Sequence, residues 1–200
     1  DILEQTKGDE HFGAPLTDDQ IAKLRGQIDI EEAPEWVQAD VPDWLWPLWQ
    51  DSLGDQAEPT AIAQQGRADV FLRVNTRKGT VEDAIEALAE DGVEVSLHPS
   101  VQGCLRVIVN PRRVKISAAF LNGLVELQDA SSQDAVQQIA VPAGARVLDY
   151  CAGGGGKALA LAATFDATVF AHEIAPKRMQ DLPVRAARAG VAIDQIATRD

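Results

Sequence analysis

The sequence predicts an α/β protein in three parts: an acidic, tryptophan-containing helical segment (1–60), a small α/β module (61–115) and the opening of a parallel-sheet domain (116–200). Three observations predict this. Arg146 to Lys157 read Arg-Val-Leu-Asp-Tyr-Cys-Ala-Gly-Gly-Gly-Gly-Lys, and an alanine-rich helical run, Ala158 to Ala163, follows. Strand, glycine turn and helix in that order place a nucleotide-like ligand at the end of a parallel strand. The charge is uneven: residues 1–60 hold 15 acids and 3 bases, 61–115 hold 7 acids and 8 bases, and 116–200 hold 9 acids and 7 bases, so the net −13 is an N-terminal property. Apolar residues make up 46% of the chain, enough for a sizeable core.

The elements follow in order. Thr17, with Gln20 three residues on, is a capping-box start for a helix running to about Ile28. All four tryptophans, Trp36, Trp44, Trp46 and Trp49, fall within fourteen residues. Pro47 belongs in the first turn of the helix there, because deeper in it would break the helix. Base stacking is the minor reading of this cluster and helix packing the major one. Ala68 to Val74 reads as a strand, and Thr80 to Asp91 as a helix capped by Thr80, with Asp83 at its third position and Gly92 as its stop. Val93 to Leu97 and Leu105 to Val109 read as strands, Leu124 to Leu127 as a short strand, and Ala130 to Ile139 as a helix. Thr168 to Glu173 is a second parallel strand, Ala175 to Ala189 a helix closed by Gly190, and a third strand begins near Ile196.

No stretch approaches the roughly 18 apolar residues of a membrane span, so no membrane partner is expected. The first residues have neither the basic start nor the apolar core of a signal peptide. Cys104 and Cys151 are the only cysteines and give no disulfide framework. A cytoplasmic location is expected, and no metal. The chain starts at Asp1 and its only methionine is Met179, which points to a start inside a longer reading frame.

The glycine turn constrains its ligand. A Walker A loop fails twice, with Cys151 at its first glycine and Ala158 in place of its hydroxyl. The dinucleotide pattern survives weakly, through Gly153, Gly155 and Ala158. S-adenosylmethionine carries no phosphate and needs a glycine turn for its amino-acid end and an acid for its ribose. Glu173, 24 residues after Asp149, supplies that acid at the tip of the next strand. The plain alternatives are a tight turn and a solvated strand end. For nucleic acid, Arg73, Arg77, Lys78, Arg106, Arg112, Arg113 and Lys115 give a local basic face, and solvated surface charge is an equal reading. No aromatic RNP pattern is present to read bases on a sheet.

Four ordered stretches resemble the Fmu/Sun (RsmB-like) family of RNA cytosine carbon-5 methyltransferases. Val147 to Lys157 is similar to the family's Val-Leu-Asp-x-Cys-Ala-Ala-Pro-Gly-Gly-Lys, with Gly153 and Gly154 in place of Ala-Pro. Pro42-Asp43-Trp44-Leu45 with Trp49 resembles its Pro-x-Trp segment, Leu72 to Thr76 its Leu-Arg-Val-Asn segment, and Gln128 to Gln133 its Gln-Asp-x-x-Ser-Gln run. The likeness covers roughly residues 36–200.

The resemblance implies that 116–200 opens a Rossmann-like S-adenosylmethionine-dependent methyltransferase domain. Cys151, Ala152, Gly153, Gly154, Gly155, Gly156 and Lys157 would wrap the methionine part of the cofactor. Glu173 would take the ribose, Arg178 would match the family's helix arginine, and Asp200 would face the adenine. RNA contacts are expected at Arg73, Arg112 and Arg113, with ribosomal RNA favoured over transfer RNA. The family's catalytic cysteines sit in later segments with no counterpart here, so the expected fragment binds cofactor and does not methylate alone. Cys151 is expected to be a structural thiol of the turn and Cys104 a core residue. A sheet cut after its third strand predicts dimerisation through the open edge or marginal stability. Two other functions stay open: an NAD-dependent oxidoreductase domain, and an RNA-binding module whose cofactor pocket is vestigial.

Overall fold

The structure is a computed structural model that describes residues 16–25 and 30–197. The chain divides into two compact units, Asp1–Ala68 and Asp69–Asp200.

In the first unit, helix α1 (Asp18–Arg25) starts with the reciprocal bonds of a capping box: Gln20 N–H donates to Thr17 Oγ1 at 3.3 Å and Thr17 N–H to Gln20 Oε1 at 2.9 Å. Its predicted continuation to Ile28 lies outside the described residues. Helices α2 (Glu35–Gln38), α3 (Trp46–Leu53) and α4 (Ala57–Gln65) follow, with Pro47 in the first turn of α3. Trp46 is buried against Ala39, Val41, Ala57 and Ala61, whose small side chains leave room for an indole. Its Nε1–H donates to Glu35 Oε2 at 3.2 Å, so the polar end of the ring is satisfied. Trp44 stays 67% exposed, so the four tryptophans do not act as one cluster.

The second unit holds two sheets. The first is antiparallel, in the order β2-β3-β1-β4, from β1 (Phe71–Val74), β2 (Glu94–Leu97), β3 (Cys104–Val109) and β4 (Val125–Leu127). Helix α5 (Val81–Glu90) links β1 to β2, and a 3-10 turn (Pro111–Ile116) with the short helix α6 (Ala118–Leu121) links β3 to β4. This β-α-β-β-α-β chain order is the ferredoxin-like split unit. Its fourth strand comes from beyond residue 115. The predicted capping box of α5 is present: Asp83 N–H donates to Thr80 Oγ1 at 3.1 Å and Thr80 N–H to Asp83 Oδ2 at 2.8 Å. Leu72, Val74, Leu88, Leu105, Val107 and Val125 fill the core between sheet and helices, one strand face contributing every second residue.

The second sheet is parallel, in the order β5-β6-β7, from β5 (Ala145–Asp149), β6 (Ala167–His172) and β7 (Asp194–Ile196). Helix α7 (Ala130–Gln137) precedes it, and α8 (Gly156–Thr164) crosses from β5 to β6. Every residue of α8 from Ala158 to Ala163 is buried, so the helix reads as continuous apolar sequence. The predicted single helix over 175–189 is two pieces: a 3-10 turn at Pro176–Met179 and helix α9 (Leu182–Ala189). Pro183 has no N–H to offer the carbonyl of Met179, so the helix restarts with Pro183 in its first turn.

Polar groups fasten the antiparallel sheet to the parallel-sheet part. Buried Asn75 donates through Nδ2 to Gly123 O at 3.0 Å and Ala189 O at 2.8 Å. Arg77 donates to Ala163 O at 2.9 Å and Phe165 O at 3.1 Å, a cation on the last carbonyls of α8.

Candidate functional site

The site forms where β5 ends at Asp149 and α8 begins at Gly156. Gly153 and Gly155 have φ of +54° and +78°, backbone that L side chains rarely adopt. Gly155 is needed twice over, since a Cβ there would run into Leu182 Cδ1. Asp149, half-buried, accepts from the Ala158 N–H; burial pushes its carboxyl above the ordinary aspartate range, and that N–H with Lys157 works the other way. Lys157 Nζ donates to Ser132 Oγ at 3.3 Å, which brings the Gln128–Gln133 segment to the turn.

Glu173 follows the end of β6 and is only 3% exposed. Its Oε1 accepts from Ala175 N–H at 3.2 Å, its Oε2 from Gly153 N–H at 2.9 Å, and Arg178 Nη1 lies 3.5 Å from Oε2. The Ala175 N–H, then Gly153 N–H and Arg178, hold the carboxyl below the ordinary glutamate value against the opposing effect of desolvation. One carboxylate therefore closes the glycine turn onto the tip of the next strand. His172 stacks on Tyr150 with ring centroids 4.6 Å apart and bonds the Tyr150 carbonyl at 2.8 Å, so the two strand ends are tied a second time.

Of the residues chosen from sequence, Cys151 to Lys157, Glu173 and Arg178 come together here. Asp200 lies outside the described residues. Arg112 and Arg113 are exposed on the 3-10 turn after β3. Cys104 is buried, and burial pushes its thiol up; Cys151 is exposed on the turn.

Arg73 is a correction. It is 8% exposed, and its Nε donates to Gln128 Oε1 at 2.8 Å. Burial lowers its guanidinium to about 10, with Glu126 raising it and Arg185 lowering it further. A side chain so placed is a strut inside the protein, not a ligand for an RNA backbone. Arg73→Ala is expected to lower stability by about 2–4 kcal/mol, because it strands Gln128 and leaves Glu126 with less compensating charge. Urea denaturation checks this, and a loss within a few tenths would mean that the pair is idle.

Sequence reading missed Arg185 and Arg188. Arg185 donates through Nη1 to the Gly154 carbonyl and sits 3.4 Å from Glu126 Oε1; Arg188 Nη2 donates to Glu126 Oε2 at 2.6 Å. The available signal was their spacing of three, which puts both on one face of α9.

A parallel strand, a glycine turn and an acid at the neighbouring strand tip define the start of a Rossmann-like domain, here preceded by a ferredoxin-like module. Comparison with known proteins agrees. A family model described as the ferredoxin-like domain of RsmF/B-like methyltransferases matches residues 41–115. Ribosomal RNA small subunit methyltransferase B of Klebsiella pneumoniae subsp. pneumoniae is 30% identical over 151 residues, 75% of this chain and 35% of that protein. The protein of the same name from Xanthomonas campestris pv. campestris is 33% identical over 119 residues, 58% of this chain and 26% of that protein. The crystal structure of PH0851 superposes with a TM-score of 0.78 at 27% identity, over 89% of this chain and 42% of that one. NSun6 from Pyrococcus horikoshii, solved with SFG, shares the fold, with a TM-score of 0.66 at 12% identity over 79% of this chain and 65% of that one. In sequence and fold the chain is similar to the Fmu/Sun (RsmB-like) family. It spans about a third or less of the length of the curated relatives named here.

Proposed function

We propose that this chain is the cofactor-binding part of an S-adenosylmethionine-dependent RNA cytosine-5 methyltransferase, with ribosomal RNA as its substrate. The observation that carries the reading is the bond from Gly153 N–H to Glu173, which sets a glycine turn and an acidic strand tip around one place. The residues suit this cofactor. Oε1 of Glu173 accepts one backbone N–H and keeps a lone pair for a ribose hydroxyl, while Oε2 is shared between Gly153 N–H and Arg178. The N–H groups of Gly156 and Lys157, in the first turn of α8, have no acceptor within the helix and suit a carboxylate. Ala158 stands where a triphosphate site needs a hydroxyl. Gly153 to Lys157 would hold the amino-acid end and Glu173 the ribose, and the bound cofactor supplies the methyl group. Asp149, bonded to Ala158, fixes the start of α8 beneath it.

Carbon-5 methylation needs a thiolate to add to cytosine carbon-6. Cys104 is buried with a raised thiol pKa, and Cys151 belongs to the turn. We therefore infer that residues 1–200 bind cofactor and do not transfer methyl alone. Calorimetric titration with S-adenosylhomocysteine should show binding, and with NADH none. The reverse preference would return the site to an oxidoreductase, and silence toward both would leave the vestigial-pocket reading. The reading extends to assembly: Leu148 on β5 is 50% exposed, and self-association through this strand should appear in sedimentation velocity and weaken in Leu148→Lys. A strict monomer would end that part.

A further inference from the structure

Beside the glycine turn, the 3-10 turn after β3, strand β4 and helix α9 enclose a groove of about 460 Å³. Lys115, Phe120, Glu126, Asp181, Arg185 and Arg188 line it. Its charges do not balance. Lys115, Arg185 and Arg188 face Glu126 and Asp181, and buried Arg73 adds a further cation within electrostatic reach of Glu126. Arg185 and Arg188 keep only 22% and 19% of their side chains exposed, so both are partly desolvated while sharing one carboxylate. The Arg188 guanidinium lies 3.9 Å over the Phe120 ring, and its Nε is buried with no hydrogen-bond partner. The remaining guanidinium N–H groups that Arg185 and Arg188 do not spend on Glu126 and Gly154 are what a phosphate completes, because the planar fork matches its oxygens.

We propose that this groove binds a backbone phosphate of the RNA substrate, Glu126 holding the two arginines in place until the phosphate arrives. The proposal rests on the RNA methyltransferase reading above and adds where the strand lies. Arg112 and Arg113, exposed on the same turn as Lys115, extend the cationic track outward. Arg185 also donates to the Gly154 carbonyl, so the phosphate site and the cofactor turn share one side chain. The strand is thereby anchored next to the methyl donor and not on the open edge of the antiparallel sheet.

Fluorescence anisotropy with a short labelled single-stranded RNA containing cytosine tests this, at two salt concentrations. Glu126→Gln removes the competing charge and keeps the shape, so RNA affinity should rise about fivefold with a steeper salt dependence. Lys115→Gln, at an exposed position, should lower affinity about threefold and reduce the salt slope by about one. Arg106→Gln, on the sheet and paired with Asp69, should change little. If the unaltered chain binds RNA but Glu126→Gln and Lys115→Gln leave it unchanged, or Arg106→Gln matches Lys115→Gln, the groove is not the site and the function stands. If the unaltered chain binds no RNA while binding S-adenosylhomocysteine, the RNA half of the function fails together with the groove. Thermal melts of each variant separate lost binding from lost fold.

Discussion

Gly123→Ala is expected to destabilise the unit Asp69–Asp200 by about 3 kcal/mol or more. Two penalties combine. Gly123 has φ of +74°, so a side chain there costs roughly 1 kcal/mol in backbone strain alone. A Cβ would also lie 2.7 Å from the carbonyl carbon of Arg188, with its oxygen closer still, and 3.2 Å from Ala189 N. Those are backbone atoms at the end of α9 and have no rotamer to escape into. The antiparallel sheet would have to lift away from the helix, which breaks the Asn75 bridge from Gly123 O to Ala189 O. Gly92→Ala is the control: φ is +71°, and a Cβ meets nothing within 4 Å. It should cost only the strain, about 1 kcal/mol. Urea denaturation of both variants gives the difference, and equal losses would mean that close approach at Gly123 contributes nothing.

That docking explains what could be read from the sequence and what could not. Elements fixed by local chemistry were legible. The α5 capping box, the turn at Gly153 to Gly156 and the apolar run of α8 all depend on neighbours in sequence. Arg73 was misread because a strand shows only alternation. Leu72 and Val74 face one core, so Arg73 must face the other side, and nothing local says that this side is covered. It is covered, with Gln128 and Glu126 brought from far along the chain. Asn75 and Arg77 stand in the same stretch and hold backbone carbonyls of α9 and α8. The Leu-Arg-Val-Asn segment is thus a fastening between two sheets, a role that exists only once both have folded. The break between the 3-10 turn and α9 was legible in principle from Pro183, whose ring sits inside the span predicted as one helix.

Glu173→Ala is expected to weaken S-adenosylhomocysteine binding roughly 10- to 100-fold, the range for losing hydrogen bonds to a charged group. The carboxylate has two tasks, and variants divide them. Glu173→Gln keeps the length and one acceptor oxygen, so the bond from either Gly153 or Ala175 survives while the anion that suits ribose hydroxyls is gone. Glu173→Asp keeps the anion and shortens the reach, so it should bind cofactor better than the glutamine variant and hold Gly153 less firmly. Binding that follows charge would make the ribose contact dominant; binding that follows length would make turn closure dominant. The pH dependence supplies an independent test of closure. The folded-state pKa of Glu173 is depressed, so its stabilising contribution is present above the ordinary glutamate value and disappears as pH falls through the lower folded value. The melting temperature should therefore drop on acidification through and below the ordinary carboxylate range, and this Glu173 component should be missing from the alanine variant. Identical acid profiles for the two proteins would show that the carboxylate does not clamp Gly153 in solution, and the variant turn with Gly153-Gly154 would then have to be closed by the ligand itself.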